Sequence, residues 1–207
     1  MMQPGYIYLA SQSPRRSELL LQAGIAHKIL PMDPAEDLEL LETRQGHESP
    51  LAYVQRVAAL KLDAAVRRLK RLGLEDAPVL CADTTVALGS SILGKPGDAS
   101  EARAMLTRLS GRTHRVHTAL ALARKRRRAH ALSSSSVSFC VMDAAQIRAY
   151  ASSGEPMGKA GAYAVQGRAA MFISRISGSY SGIMGLPLFE TRQALALLGL
   201  LPLGLVP

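Results

Sequence analysis

Val79, Leu80, Cys81 and Ala82 form an unbroken apolar run of the kind buried on both faces of a sheet. A carboxylate, Asp83, is set into that run, followed by two hydroxyls, Thr84 and Thr85. The strand resumes through Val86-Ala87-Leu88, turns over Gly89-Ser90-Ser91, and returns as Ile92-Leu93-Gly94 to Lys95. A carboxylate inside a core strand is unfavourable unless it is hydrogen-bonded, paired with a cation or bound to a metal. Two readings of Asp83 therefore stand open. It is a structural acid satisfied by backbone N–H groups and the neighbouring threonines, or it is a catalytic group.

With 207 residues, 48% of them hydrophobic, the chain has enough apolar material for one domain or two closely joined lobes. The formal charge of +9 biases its partners towards anions, although arginine on solvated faces raises net charge in the same way. The two cysteines, Cys81 and Cys140, lie in apolar runs without metal-binding spacing, and both are expected to be small buried core residues in a reducing compartment. The apolar run at residues 6–10 is too short for a secretory leader and has no basic flank. The apolar segment at residues 194–206 is too short to span a bilayer and is interrupted by Pro202, so it is expected to pack on the core or on a second subunit. These features predict a soluble, cytoplasmic protein.

Residues 6–10 read as a short strand leading into a helix, with Ser13 as N-cap, Pro14 in its first turn and Gly24 at its end. Arg15 and Arg16 fall in that first turn, where the helix dipole already makes the environment positive. Two guanidiniums there are either solvated or gathered around an anion, and a helix N-terminus after a strand is a ready phosphate site. Residues 26–30 read as a second strand, and residues 31–50 as a polar, acidic loop containing Asp33, Glu36, Asp37, Glu39, Glu42 and Glu48. A helix from Ser49-Pro50 to about Leu69 carries Lys61 beside its apolar stripe. The basic cluster Arg67, Arg68, Lys70 and Arg71 reads as its solvated end.

Asp98 and Glu101 form a capping-box pattern for a helix ending at Ser110-Gly111. Residues 112–124 and 133–142 read as strands, and the basic run from Arg124 to Arg128 as the charged hairpin tip between them. His114 and His117, three apart in a strand, point to opposite faces and are not a metal pair. Asp143 starts another helix, residues 171–176 read as a strand, and Pro187 begins the last helix, to about Leu198. The intervening segments are rich in glycine, which suits backbone that approaches a ligand closely. First-turn arginines, a strand-embedded acid and lysines from separate loops describe a polyphosphate site. Gly94-Lys95 lacks the upstream glycine loop and following hydroxyl of a P-loop.

Four motifs occur in order along the chain: Ser11-x-Ser13-Pro14-Arg15-Arg16-x-Glu18-Leu19-Leu20; Ala82-Asp83-Thr84 with Leu93-Gly94-Lys95-Pro96; Leu109-Ser110-Gly111-x-x-His114-x-Val116-x-Thr118; and Gly154-Glu155-Pro156-x-x-Lys159-Ala160-Gly161-Ala162-Tyr163-x-x-Gln166-Gly167. Gly178-Ser179-Tyr180 and Gly185-Leu186-Pro187-Leu188 complete the pattern. The chain resembles the Maf family of nucleoside triphosphate pyrophosphatases, named for a septum-formation phenotype. Its Asp-Thr and Tyr-x-x-Gln-Gly pairing resembles the dTTP/UTP branch.

The resemblance implies a single Maf-like domain over residues 1–207, an α/β fold related to the inosine triphosphatases. An elongated mixed sheet would be flanked by helices in two lobes, with the active-site cleft between them, commonly in a homodimer. The implied reaction cleaves a nucleoside triphosphate to the monophosphate and pyrophosphate with a divalent cation, Mg²⁺ or Mn²⁺. By the same resemblance Asp83 accepts the proton of the attacking water. Ser11, Arg16, Lys61, Lys95 and Lys159 surround the phosphates, and Arg15, Thr84 and Gln166 set base specificity. A primary amide such as Gln166 can pair with a uracil or thymine imide side by side. Metal ligands are left open between Asp83 and an acid of the segment after Pro31, with Glu36 the candidate; Gly158 stands where many relatives carry another acid. Two alternatives remain: the same reaction on another base such as 7-methyl-GTP, and a basic, nucleic-acid-binding regulator of division. The enzyme reading expects no nucleic-acid and no membrane partner.

Overall fold

The computed structural model describes residues 5–33, 36 and 40–200. Its first elements are β1 (Ile7–Leu9), α1 (Pro14–Gln22), β2 (His27–Ile29) and the long α2 (Pro50–Arg71). Next come β3 (Val79–Leu88), β4 (Ser91–Leu93), α3 (Ala99–Leu109) and the two longest strands, β5 (Thr113–Arg124) and β6 (Arg127–Phe139). The chain finishes with α4 (Ala144–Ala151), β7 (Ile173–Ser177), α5 (Tyr180–Met184) and α6 (Leu188–Leu197).

The strands form one seven-stranded mixed sheet in the order β2-β1-β3-β5-β6-β7, with β4 also on β3. At its centre runs β3, the strand that carries Asp83 within its apolar run. Alternate residues of β3 enter two different cores: Leu80, Ala82 and Val86 pack with α1, α3 and the last third of the chain, whereas Val79 and Cys81 pack under α2 with Val54, Ala58 and Leu62. An apolar run without alternation is what such two-sided burial requires.

One edge of β3 is covered along its length by β5, from Val79↔Ala123 to Ala87↔Arg115. The other edge is shared. β1 pairs in parallel at Val79 and Leu80, and β4 pairs antiparallel only from Val86 to Leu88. Between them the edge of β3 carries no strand partner, and Asp83 sits at the middle of that opening.

Several expectations meet corrections. Arg68 is not a solvated residue: it is 2% exposed, seven residues beyond Lys61 on the same face of α2, and donates to Glu36 (2.9 Å) and to Met32 Sδ (3.7 Å). Cys140 is exposed, unlike the buried Cys81, and both thiols are free. The ladder of β6 ends at Phe139 because the Cys140 N–H turns to Phe172 O (2.8 Å) and its carbonyl to the Gly111 N–H (2.9 Å); Val141 is left 82% exposed. The strand expected at residues 171–176 begins only at Ile173, after a 3₁₀ turn at Arg168–Phe172. Glu101 accepts from the Gly97 N–H (2.8 Å), not from that of its N-cap Asp98, so the full reciprocal box occurs at Asp143 and Gln146 instead. The expected packing of the C-terminal tail falls partly on residues 201–207, outside the described residues.

The hairpin tip is shorter than expected: β6 begins at Arg127, not at 133, so Arg124, Arg127 and Arg128 are strand residues and the turn is Lys125-Arg126, with Lys125 in the left-handed region (φ 54°). Arg124 and Arg127 donate to the carbonyls of Leu198 (3.2 Å) and Leu197 (2.6 Å) at the end of α6, and Arg128 pairs with Asp63 of α2. Guanidiniums at the negative end of a helix and beside a carboxylate are structural placements. Among the described residues no helix is long and apolar enough to cross a membrane.

Candidate active site

The opening in the edge of β3 leads into a cleft of about 530 Å³. Ser11, Arg15, Arg16, Lys61, Asp83, Thr84, Lys95, Lys159 and Gln166 all line it, so the structure brings every one of those sequence candidates together. Glu36 is not among the lining residues. It is held outside by Arg68 and by Arg71 (2.7 Å).

Among the described residues, the acid of the segment after Pro31 that lines the cleft is Glu42. A one-turn 3₁₀ helix, Leu40–Glu42, brings it to the cleft, and the surrounding loop is fastened to α2. Tyr53 Oη donates to Glu42 O (2.8 Å), and Arg56 donates to Leu41 O (3.3 Å) and Thr43 O (3.0 Å) while pairing with Glu48 (2.5 Å). So fixed, the Glu42 carboxylate accepts from Lys61 Nζ (2.7 Å) and Lys95 Nζ (3.3 Å). The same Lys61 ammonium donates to Asp83 Oδ1 at 2.6 Å. Burial disfavours the charged form of Glu42, but Lys61 and then Lys95 outweigh it and hold its carboxyl below the usual range. In the sequence Glu42 is one acid of an acidic loop, and its contact with Lys61 spans nineteen positions, beyond the reach of any local spacing.

Asp83 is 7% exposed, and among the described residues its carboxylate bonds to Lys61 Nζ and to neither neighbouring threonine, so the partners expected for a purely structural acid are not the ones found. It faces α2, while Thr84, the next residue of the strand, faces the opposite side and Arg16. Arg16 donates through Nε to Gly185 O (2.7 Å), through Nη1 to Ser11 Oγ (3.0 Å) and through Nη2 to Thr84 Oγ1 (3.4 Å). Arg15 reaches Met184 O through Nε (3.3 Å). Burial lowers the pKa of both guanidiniums; for Arg16 the nearby Asp83 works against that, and for Arg15 Glu18 does. These bonds use part of each five-donor fork, and the rest is available to an anion. Ser13 makes no side-chain cap on α1, whose N-terminal turn borders the cleft.

Lys159 enters from a glycine-rich loop, donating to Glu155 O (2.5 Å). Burial, and then Arg15, lower its pKa. Gly161 is required there. It has φ +69°, a Cβ would come within 2.8 Å of Val86 Cγ1, and its N–H bonds Gly94 O (3.0 Å), joining the Lys159 loop to that of Lys95. Glu155 itself accepts from Tyr150 Oη (2.8 Å) and the Arg168 N–H (3.0 Å), so it builds the loop rather than facing the cleft.

Behind Tyr163, which also lines the cleft, lies His114, with Nε2 2.8 Å from Tyr163 Oη. Burial lowers the His114 pKa to about 4, and it lowers that of His117 as well. An unfolded histidine takes up its proton near pH 6.5. The unfolded state therefore binds more protons as the pH falls from about 6.5 to 4, and stability falls with it. Urea unfolding is expected to show His114 removing about 2–3 kcal/mol between pH 7 and pH 4.5, a loss that His114→Gln reduces.

Among the described residues no group of three or more His, Cys, Asp and Glu forms a closed metal cage. Asp83 and Glu42 do converge on one ammonium. One or two carboxylates, completed by phosphate oxygens and water, is how Mg²⁺ is commonly held, and the donor set fits that chemistry. The site thus offers an anion-binding floor of arginine and lysine, with two carboxylates able to hold a cation or orient water.

A family model described as Maf-like protein matches residues 6–198. A relative from Polaromonas sp. named dTTP/UTP pyrophosphatase is 64% identical over 195 residues, covering 94% of this chain and 96% of that one. One of the same name from Albidiferax ferrireducens is 62% identical, with 94% and 97% covered. A third, from Cupriavidus pinatubonensis, is 60% identical, with 92% and 95% covered.

Proposed function

The chain belongs to the Maf family, and from that premise we propose that it hydrolyses dTTP and UTP to the monophosphate and pyrophosphate. The observation that carries the reading is the cleft itself. Arg15 and Arg16, Lys61, Lys95 and Lys159 arrive from separate segments around Asp83 and Glu42. Relatives named for dTTP and UTP, alike over nearly their whole length, supply the base.

In this proposal Asp83 orients the attacking water and accepts its proton. Charge developing on the phosphoryl oxygens is offset by cations already in position. Asp83 and Glu42 would hold a divalent ion, Mg²⁺ or Mn²⁺, which supplies further charge neutralisation when bound. Lys61 sits between the two carboxylates and links the acid on β3 to the loop carrying Glu42. Gln166, exposed at the cleft, offers both a donor and an acceptor to the base. A homodimer, a cytoplasmic site of action on the nucleotide pool and a link to septum formation belong to the same proposal.

The test is a panel of nucleoside triphosphates with Mg²⁺ or Mn²⁺ and detection of released pyrophosphate. Turnover of dTTP and UTP well above purine nucleotides is expected. Turnover confined to purine or 7-methylguanosine triphosphates would remove the base assignment and leave the reaction class.

A further inference from the structure

We infer that Thr118, a buried residue outside the cleft, is a specificity-positioning residue that fixes the Thr84 hydroxyl as a hydrogen-bond acceptor facing ring position 3 of the base and so selects pyrimidines with an N–H there. The inference rests on the pyrimidine pyrophosphatase reading and deepens it.

Each threonine hydroxyl has one proton to give. Thr118 Oγ1 lies 2.7 Å from Gly182 O and 2.9 Å from Thr84 Oγ1. A carbonyl cannot donate, so the single hydroxyl proton of Thr118 goes to Gly182 O. The bond between the two threonines then has only one donor left, the hydroxyl of Thr84. Arg16 Nη2, 3.4 Å from Thr84 Oγ1, also donates. Thr84 has therefore given its proton into the wall of the cleft, and what it presents to a ligand is a lone pair.

The far end of this relay is rigid. Gly182 belongs to α5, which is capped by Ser179 Oγ accepting from the Gly182 N–H (2.9 Å). Ser179 N–H in turn donates to Ser135 Oγ on β6 (2.9 Å). The two residues after Ile183 supply the carbonyls that hold Arg15 and Arg16. Thr118 is 1% exposed and does not line the cleft, so it touches the ligand only through Thr84.

A fixed acceptor does what Gln166 does not. No hydrogen bond to a described residue fixes the Gln166 amide, and a primary amide can turn over to serve either a uracil or a cytosine edge. Uracil and thymine carry a donor at N3, whereas cytosine carries an acceptor there. At ring position 3 a lone pair held at Thr84 is complementary to the first and repulsive to the second. Without Thr118 the Thr84 hydroxyl rotates and donates as readily as it accepts.

The experiment compares kcat/KM for UTP and CTP in the wild type, Thr118→Val, Thr118→Ser, Thr84→Val and the Thr84→Val/Thr118→Val double variant. Valine matches threonine in shape, and Gly182 O keeps the Gly185 N–H (3.0 Å). The UTP-to-CTP ratio is expected to fall at least tenfold in Thr118→Val, to be kept in Thr118→Ser, and to be unchanged by Thr118→Val when Thr84 is already valine. A folded Thr118→Val with the wild-type ratio overturns the inference, as does a further fall in the double variant. Thr118→Ala substitutes if the valine variant does not fold, with the same expected loss. A wild type that turns over neither UTP nor dTTP overturns the functional reading itself, which is seen before any variant is made.

Discussion

Asp83→Asn is expected to lower turnover by about 10³-fold while leaving the protein folded. The amide has nearly the same shape and can still accept from Lys61 Nζ, now 2.6 Å from Oδ1. What it loses is the negative charge and the ability to take a proton. Because Glu42 remains on Lys61 at 2.7 Å, the ammonium keeps an ionic partner and the cleft keeps its architecture. Pyrophosphate release measured beside a thermal melt separates the two effects. Loss of turnover with an unshifted melt is the expected result; full turnover would remove Asp83 from the chemistry.

Arg16→Lys, a change that preserves charge, is expected to reduce kcat/KM by about 10²-fold. It is also expected to lower stability by about 1–3 kcal/mol. The guanidinium bonds Gly185 O, Ser11 Oγ and Thr84 Oγ1 at once through three different nitrogens, joining the start of α1, the end of α5 and β3. A lysine brings one nitrogen on a flexible stem and cannot reach all three. The Gly185 carbonyl would lose its side-chain donor, and Thr84 its tie to α1. Urea unfolding and steady-state kinetics on the same preparation measure both losses. A lysine variant with wild-type values would show that Arg16 acts only as a point charge.

Much of this site is legible along the chain because its residues sit on strong local signals. Asp83 interrupts an apolar strand, Arg15 and Arg16 follow a Ser-Pro helix start, and Lys95 and Lys159 follow glycines or prolines in turns. Each is conspicuous against its own neighbours. Glu42 is not, since an acid among acids in a loop has no local contrast, and its role comes from Lys61 and Lys95, far away in the chain. Arg68 is misread for the opposite reason. Its neighbours at a helix end look solvated, and only the packing of Met32 and Glu36 over α2 buries it. The short α5 is hidden by its glycines and serines, which disfavour helix unless a strand such as β6 supplies Ser135 to hold it. Thr118 stands in a motif of the chain with no role of its own there, and its two hydroxyl partners, Thr84 and the Gly182 carbonyl, are brought to it only by the fold.

The divided edge of β3 has a mechanical meaning. Polar and basic groups lining the cleft are carried on both sides of the opening: Ser11, Arg15 and Arg16 with β1, and Lys95 and Lys159 with β4 and the loop tied to it through Gly161. The strand bearing Asp83 runs unbroken beneath both and is backed by β5 along its length. The acid is thus fixed by a continuous backbone ladder, whereas the cations on either side are placed by short elements that meet β3 only near its two ends.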